Sequence, residues 1–476
     1  CFSKEAYEFV DQLALANQKY WQILPLGPTS YGDSPYQSFS TYAGNPYFID
    51  LNTLIEEGVL TKKECDLADF GSDSRFIDYG KLYKARYKLL RKAYERSNIS
   101  QNPEFRTFQE ENAWWLDDYA LFMAVKGFFQ DECWDKWPED IKKRYGYALD
   151  YYREQLYFEI EFQKYMQFEF SIQWKKLKTY ANENGIRIIG DIPIYVAYDS
   201  ADTWAHPELF QLDEENVPLA VAGCPPDGFA ADGQLWGNPL YRWDYHRRTG
   251  YTWWMQRLSY AFYLYDVVRI DHFRGFDEYF SIPYGDTTAR NGHWEKGPGI
   301  ELFHRMKEVL GERDVIAEDL GYVTDSVRQM VFESGFPGMK VFEFAFDSRD
   351  TGCAGDYLPH NYPVNSVVYT GTHDNATLIG WYQDIPKESR EMLRDYIHDY
   401  TTSDRSLHWS VICRVMGSPA RICMIPMQDY LGLNNTCRIN TPSTLGTNWK
   451  WRLLDGEFTS DLQNKIKKLV RIYQRN

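Results

Sequence analysis

The stretch VVRIDHFRGF, residues 267–276, runs from two valines through Arg269 and Ile270 into Asp271, His272 and, one residue later, Arg274. Its apolar start reads as a short strand buried on both faces, the form taken by parallel strands that helices cover. Six other runs share the pattern of apolar residues closing on a polar cluster: YWQILPLG (20–27), IRIIGDIPIYV (186–196), VIAEDLG (315–321), MKVFEFAFD (339–347), SVVYTGTHD (366–374) and ARICMIPMQD (420–429). Helical patterns lie between them, such as 303–314 and 326–335, the second with Thr324 or Asp325 as N-cap and Gly335 as stop. This alternation predicts an α/β fold, a TIM (β/α)8 barrel with inserted helical subdomains.

The seven runs are one short of the eight strands that close such a barrel. A helix-like segment, FSKEAYEFVDQLALA (2–16), precedes the first run, so the first barrel strand is expected to be missing from the chain. Residues 1–50 and 166–476 are assigned to the catalytic barrel and its rim loops, and 51–165 to a mostly helical insertion subdomain. Within the barrel part, 197–250 is expected to be a lid or binding-loop region. Its segment VAGCPPDGFAADGQLWGNPLYRW (221–243) is too rich in Gly, Pro and Asp to be expected in any regular element.

Composition narrows the function. The chain has 476 residues, 52 Lys and Arg against 68 Asp and Glu, and a formal net charge of −16, which opposes a nucleic-acid partner. No apolar run reaches the roughly 18 residues that cross a bilayer, and no leader opens the chain, so the expectation is a cytoplasmic protein with no membrane partner. Eight scattered cysteines show no zinc or disulfide spacing and read as reduced thiols. Aromatic residues make up 17% of the chain, which suits either a ring-lined sugar cleft or a large aromatic core.

In a β/α barrel the active site lies at the carboxyl ends of the strands. Asp191, Asp271, Glu318 and Asp374 each close a different run. One such carboxylate could cap a helix or pair with an arginine; four point to chemistry. Arg269 shares a strand face with Asp271, and its cation is expected to lower the Asp271 pKa and hold an ionised nucleophile. Glu318, near other carboxylates, is expected to keep a proton and act as the acid. An ionised and a protonated carboxyl group are what glycosyl transfer requires.

The motifs GDSPYQSFSTYAGNPYFIDL (32–51), GDIPIYVAYDSADTWAHPELFQLD (190–213), GCPPDGFAADGQLWGNPLY (223–241), VRIDHFRGF (268–276), IAEDLG (316–321), YTGTHDN (369–375) and TNWKWR (447–452) resemble those of the 4-α-glucanotransferases, the amylomaltases or disproportionating enzymes of the α-amylase clan. The likeness runs in order from about residue 5 to the C-terminus. It implies a retaining double displacement in which Asp271 is the nucleophile, Glu318 the acid/base and Asp374 the transition-state stabiliser. Arg269, His272 and His373 would line the subsite of the bond being cut, and Asp191 and Tyr36 would hold the same sugar. Gln234 and Trp236 would shape the acceptor side and exclude water; Asn440 matches the asparagine of a late motif. Around it the chain reads RINTPSTLG, where the family commonly has a glycine after the proline.

The resemblance implies α-1,4-glucan donors, maltooligosaccharides or segments of starch or glycogen, with glucose or another glucan as acceptor, and no cofactor or metal. An α-glucan hydrolase, a metal-dependent barrel hydrolase and a glucan-binding protein without turnover stand as alternatives. The absence of HxH and HExxH spacings speaks against the metal.

Overall fold

The computed structural model describes all residues except 31, 227–230, 322, 347–353 and 476. The described residues form eleven strands: β1 (Tyr20–Gln22), β2 (Arg187–Ile192), β3 (Ala220–Cys224), β4 (Gln234–Pro239), β5 (Val267–Ile270), β6 (Glu278–Pro283), β7 (His293–Lys296), β8 (Val315–Ala317), β9 (Gly338–Val341), β10 (Ser366–Tyr369) and β11 (Ile422–Met424).

Seven of them, β1, β2, β5, β8, β9, β10 and β11, lie in that order in one sheet. Every pairing in it is parallel, and the sheet curls into a nearly closed barrel. These are the seven runs expected from the sequence. β5 is buried at all four positions, as an unbroken apolar run predicts. Alternation then sorts the side chains. Ile189, Val267, Ile316, Met339, Val367 and Tyr369 pack in one cluster, and the same parity carries Asp191, Arg269, Asp271 and Glu318 to its carboxyl-end rim. β1 and β11 are the sheet's two edges, and a cavity of about 960 Å³ separates them, reaching Arg269 and His373.

The helices follow local signals. Thr324 caps the helix Asp325–Ser334, its hydroxyl accepting from the Val327 N–H, and Gly335 ends it in the left-handed region at φ 74°. Between β1 and β2 run long helices, including Tyr79–Arg96, Pro103–Phe128 and Tyr157–Glu183. Trp115 and Phe122 of the second of these join Trp134 and Ile141 of shorter segments, and Tyr42 and Trp204 from outside residues 51–165, in a second core. The helix Tyr157–Glu183 runs through the boundary expected at residues 165 and 166. No helix among the described residues is long and apolar enough to cross a membrane.

One expectation fails. Segment 221–243, expected to lack regular structure, contributes β3 and β4, which join β6 and β7 in an antiparallel sheet ordered β4-β3-β6-β7. The glycines that suggested a loop instead permit a tight ladder. A Cβ on Gly223 would stand 2.1 Å from the carbonyl oxygen of Gln234, so only glycine lets β3 approach β4 this closely. Gly237 takes a positive φ of 77° within β4, in the span where the β3–β4 register shifts. Residues 227–230, part of the expected lid region, and Asp347, the last residue of one expected run, lie outside the described residues.

Candidate active site

The site begins with the pairing of β2 and β5, which sets Asp191 opposite Arg269. Arg269 is 3% exposed, and its Nη1 lies 2.6 Å from Asp191 Oδ2 and 3.0 Å from Asp271 Oδ1. Its Nε faces Met339 Sδ at 3.4 Å. Asp191 Oδ2 also accepts a 2.7 Å hydrogen bond from the Tyr36 hydroxyl. Tyr36 stacks on His373 with ring centres 5.0 Å apart.

His373 Nε2 lies 3.4 Å from Asp374 Oδ2, and Asn440 Nδ2 donates to Asp374 Oδ1 at 2.6 Å. The Asn440 N–H donates to the His373 carbonyl. Arg438 donates to the backbone carbonyls of both Asp374 and Asn440.

A second group joins at the next residue. His272 adopts φ 52°, in the left-handed region, and its N–H donates 2.6 Å to Glu318 Oε2. The Leu320 N–H donates to Glu318 Oε1 at 3.1 Å. The His272 ring meets Trp236 edge to face at 4.8 Å, and Trp236 Nε1 donates to Gln234 Oε1. All eleven residues singled out in the sequence therefore lie in one connected set.

Electrostatics separates the two central carboxyl groups. Burial, reinforced by the Asp271 charge, pushes Glu318 up to about 8, against the opposing pull of Arg269 and two backbone N–H groups. Asp271 also moves up, to about 6, which corrects the expectation that Arg269 would lower it. Burial prevails over Arg269 there, because the guanidinium is divided between two carboxylates, and Asp191 and Asp374 add like charge. The order survives the correction. Near pH 7 Asp271 is mostly ionised and Glu318 mostly protonated.

Burial raises Asp374 as well, but the His373 cation and hydrogen bonds from His373 and Asn440 outweigh it and hold the group below the usual carboxylate range. Burial favours the neutral form of His373, yet Asp374 wins and its pKa rises. His272 falls to about 3 through burial and the Arg274 charge, and is a neutral imidazole. Among the described residues no group of three or more His, Cys, Asp or Glu could hold a metal ion.

Three neighbours escaped the sequence reading. Arg438 carries no motif signal. Trp449 packs near Tyr36 and His373, each at 5.8 Å, and sits in TNWKWR, where the motif could have flagged it. Tyr195, in GDIPIYV, lies 6.2 Å from Trp236 and 6.4 Å from His272.

A nearly closed parallel barrel whose rim sets a protonated carboxyl group beside ionised ones defines a carboxylate-dependent barrel enzyme. Within that class the chain belongs to the 4-alpha-glucanotransferase family, whose model matches residues 1–457. A 4-alpha-glucanotransferase of Clostridium butyricum is 49% identical over 476 residues, covering 100% of this chain and 97% of that protein. The chloroplastic/amyloplastic 4-alpha-glucanotransferase DPE1 of Arabidopsis thaliana is 38% identical, over 99% of this chain and 82% of its own length. The amylomaltase of Streptococcus agalactiae in complex with acarbose superposes with a TM-score of 0.96 at 40% identity, over 100% of this chain and 96% of that one.

Proposed function

We propose that the chain is a 4-α-glucanotransferase that moves α-1,4-glucan segments from a maltooligosaccharide or starch-type donor to the 4-hydroxyl of glucose or another glucan. The observation that carries the mechanism is the divergence of Asp271 and Glu318, at about 6 and about 8. The Asp271 carboxylate attacks the anomeric carbon as the glycosidic C–O bond breaks, and the Glu318 proton passes to the departing O4. Glu318, now a carboxylate, takes the proton of the acceptor's 4-hydroxyl as that oxygen displaces Asp271. Two inversions at one carbon retain the α configuration.

Asp374, held by His373, Asn440 and Arg438, offers a fixed carboxylate to sugar hydroxyls. Asp191 Oδ1 and His272 Nε2, buried and without a partner among the described residues, are suited to substrate polar groups. Tyr36 and Arg269 orient Asp191, while Gln234 and Trp236 wall the acceptor side and limit water. The acarbose named with the S. agalactiae amylomaltase supports a glucan-like ligand. A second apolar core built mainly from residues 115–160 supports the later part of an insertion subdomain at 51–165, while Leu54, Leu60 and Leu90 of its earlier part pack in the main core. Cysteines held outside any disulfide, among them Cys65, Cys133 and Cys437, suit a cytoplasmic location.

Incubation with maltotriose in the presence of EDTA tests the proposal. Glucose together with a ladder of longer maltooligosaccharides is expected. Glucose and maltose alone would make the chain a hydrolase, and loss of activity to EDTA would make it a metalloenzyme.

A further inference from the structure

Six of the twelve strongly exposed aromatic side chains among the described residues fall between positions 128 and 158: Phe128, Tyr145, Tyr147, Tyr151, Tyr157 and Phe158. No aliphatic side chain in that stretch is comparably exposed. A concentration of this kind on an otherwise polar surface marks a binding face.

The backbone aligns two of these rings and sets a third just beyond a helix junction. The helix Gly146–Gln155 meets the helix Tyr157–Glu183 at Leu156, where the Leu156 N–H donates to the Tyr152 carbonyl and the Ile160 N–H to the Leu156 carbonyl. Leu156 itself lies at φ −109° and ψ 19°, outside helical dihedrals, so these bonds bridge two separate helical segments. Tyr147 and Tyr151, four residues apart, lie on one face of the first helix, and with Phe158, which stands in the second helix just past the junction, they make up an exposed aromatic stripe. They are 67%, 56% and 74% exposed. The inner side of the same helix is anchored by Ala148 and Tyr152, with Tyr152 against Phe128 at 5.8 Å. The stripe is therefore held rigid from beneath.

We infer that this stripe is a secondary docking platform for a single α-glucan chain, separate from the catalytic cleft. The inference rests on the glucanotransferase reading above. Pyranose rings present C–H faces that stack on aromatic rings, while their hydroxyls meet polar groups at the edges. Tyrosine supplies both a ring and a hydroxyl, and Asp150, in an ion pair with Arg153, and Glu154 stand exposed on the same helix. A neutral ligand also suits the charge. A second copy of the chain would bring another net −16.

Native affinity electrophoresis of the full chain in gels containing soluble amylose tests this, with maltotriose disproportionation measured on the same samples. The variants are Tyr151→Ser and the triple Tyr147→Ser, Tyr151→Ser, Phe158→Ser. The triple variant is expected to disproportionate maltotriose within about twofold of the parent and to bind amylose at least about tenfold more weakly, as the loss of three ring contacts implies. Unchanged retardation of the triple variant would overturn the inference. If the triple variant also loses maltotriose turnover, Tyr151→Ser decides: weakened retardation with intact turnover supports the platform, and parental retardation overturns it. A parent dimer seen by light scattering, abolished in the triple variant while retardation persists, would assign the stripe to self-association and overturn it too. Failure of the parent itself on maltotriose would strike at the glucanotransferase reading, whereas amylose retardation still reports on the stripe.

Discussion

Arg269 and Asp271 form an ion pair of 3.0 Å, yet Asp271 holds its proton up to about pH 6. Burial outweighs the cation because Asp191 claims the same nitrogen at 2.6 Å. Arg269→Gln removes the charge that both carboxylates share. The Asp271 pKa is expected to rise further, moving the acid limb of kcat/KM to higher pH and lowering the rate at neutrality by about a hundredfold or more. A pH profile of the variant with its acid limb unmoved would show that Arg269 does not set this ionisation.

The reaction needs Asp271 ionised, hence a pH above about 6, and Glu318 protonated, hence a pH below about 8. A bell-shaped kcat/KM profile with its maximum near pH 7 is expected, its limbs belonging to the coupled pair. Asp271→Asn and Glu318→Gln should each lower turnover by roughly four orders of magnitude.

The same shift has a stability signature. A glutamate whose pKa rises from 4.5 to about 8 on folding contributes stability that is full below the lower value and lost as pH rises through the upper one. Glu318→Gln should therefore raise the melting temperature relative to the parent at about pH 9, and leave the difference smallest near pH 4. Calorimetry at the two pH values reads this directly.

Trp236 leans on His272, and its indole is fixed by Gln234. Trp236→Ala opens the acceptor side to water while leaving the carboxyl groups in place. The ratio of released glucose to transferred chains should rise several-fold, with total donor consumption changing less. An unaltered ratio would remove Trp236 from water exclusion.

Gly223→Ala would drive a methyl group into the Gln234 carbonyl. The close β3–β4 pairing must then open, at about 1–3 kcal/mol of stability. Because Gln234 begins β4, transfer should suffer beyond what the stability loss explains. Thermal unfolding and the transfer-to-hydrolysis ratio together separate the two effects.

The amino-acid order alone determined the seven barrel strands, the helix between Thr324 and Gly335, and the residues that close each strand. These follow from apolar runs, side-chain alternation and capping, all of which act within a few residues along the chain. The β3–β4 ladder was illegible because its glycines signal a loop locally, and only the partner strand shows that they are needed for close approach. The sharing of Arg269 between Asp191 and Asp271, the stacking of Tyr36 on a histidine 337 positions away, and the support of Asp374 by Arg438 were likewise decided by tertiary structure. So was the upward shift of Asp271, since a pKa answers to desolvation and through-space charge, and neither quantity exists until the strands have closed around the site.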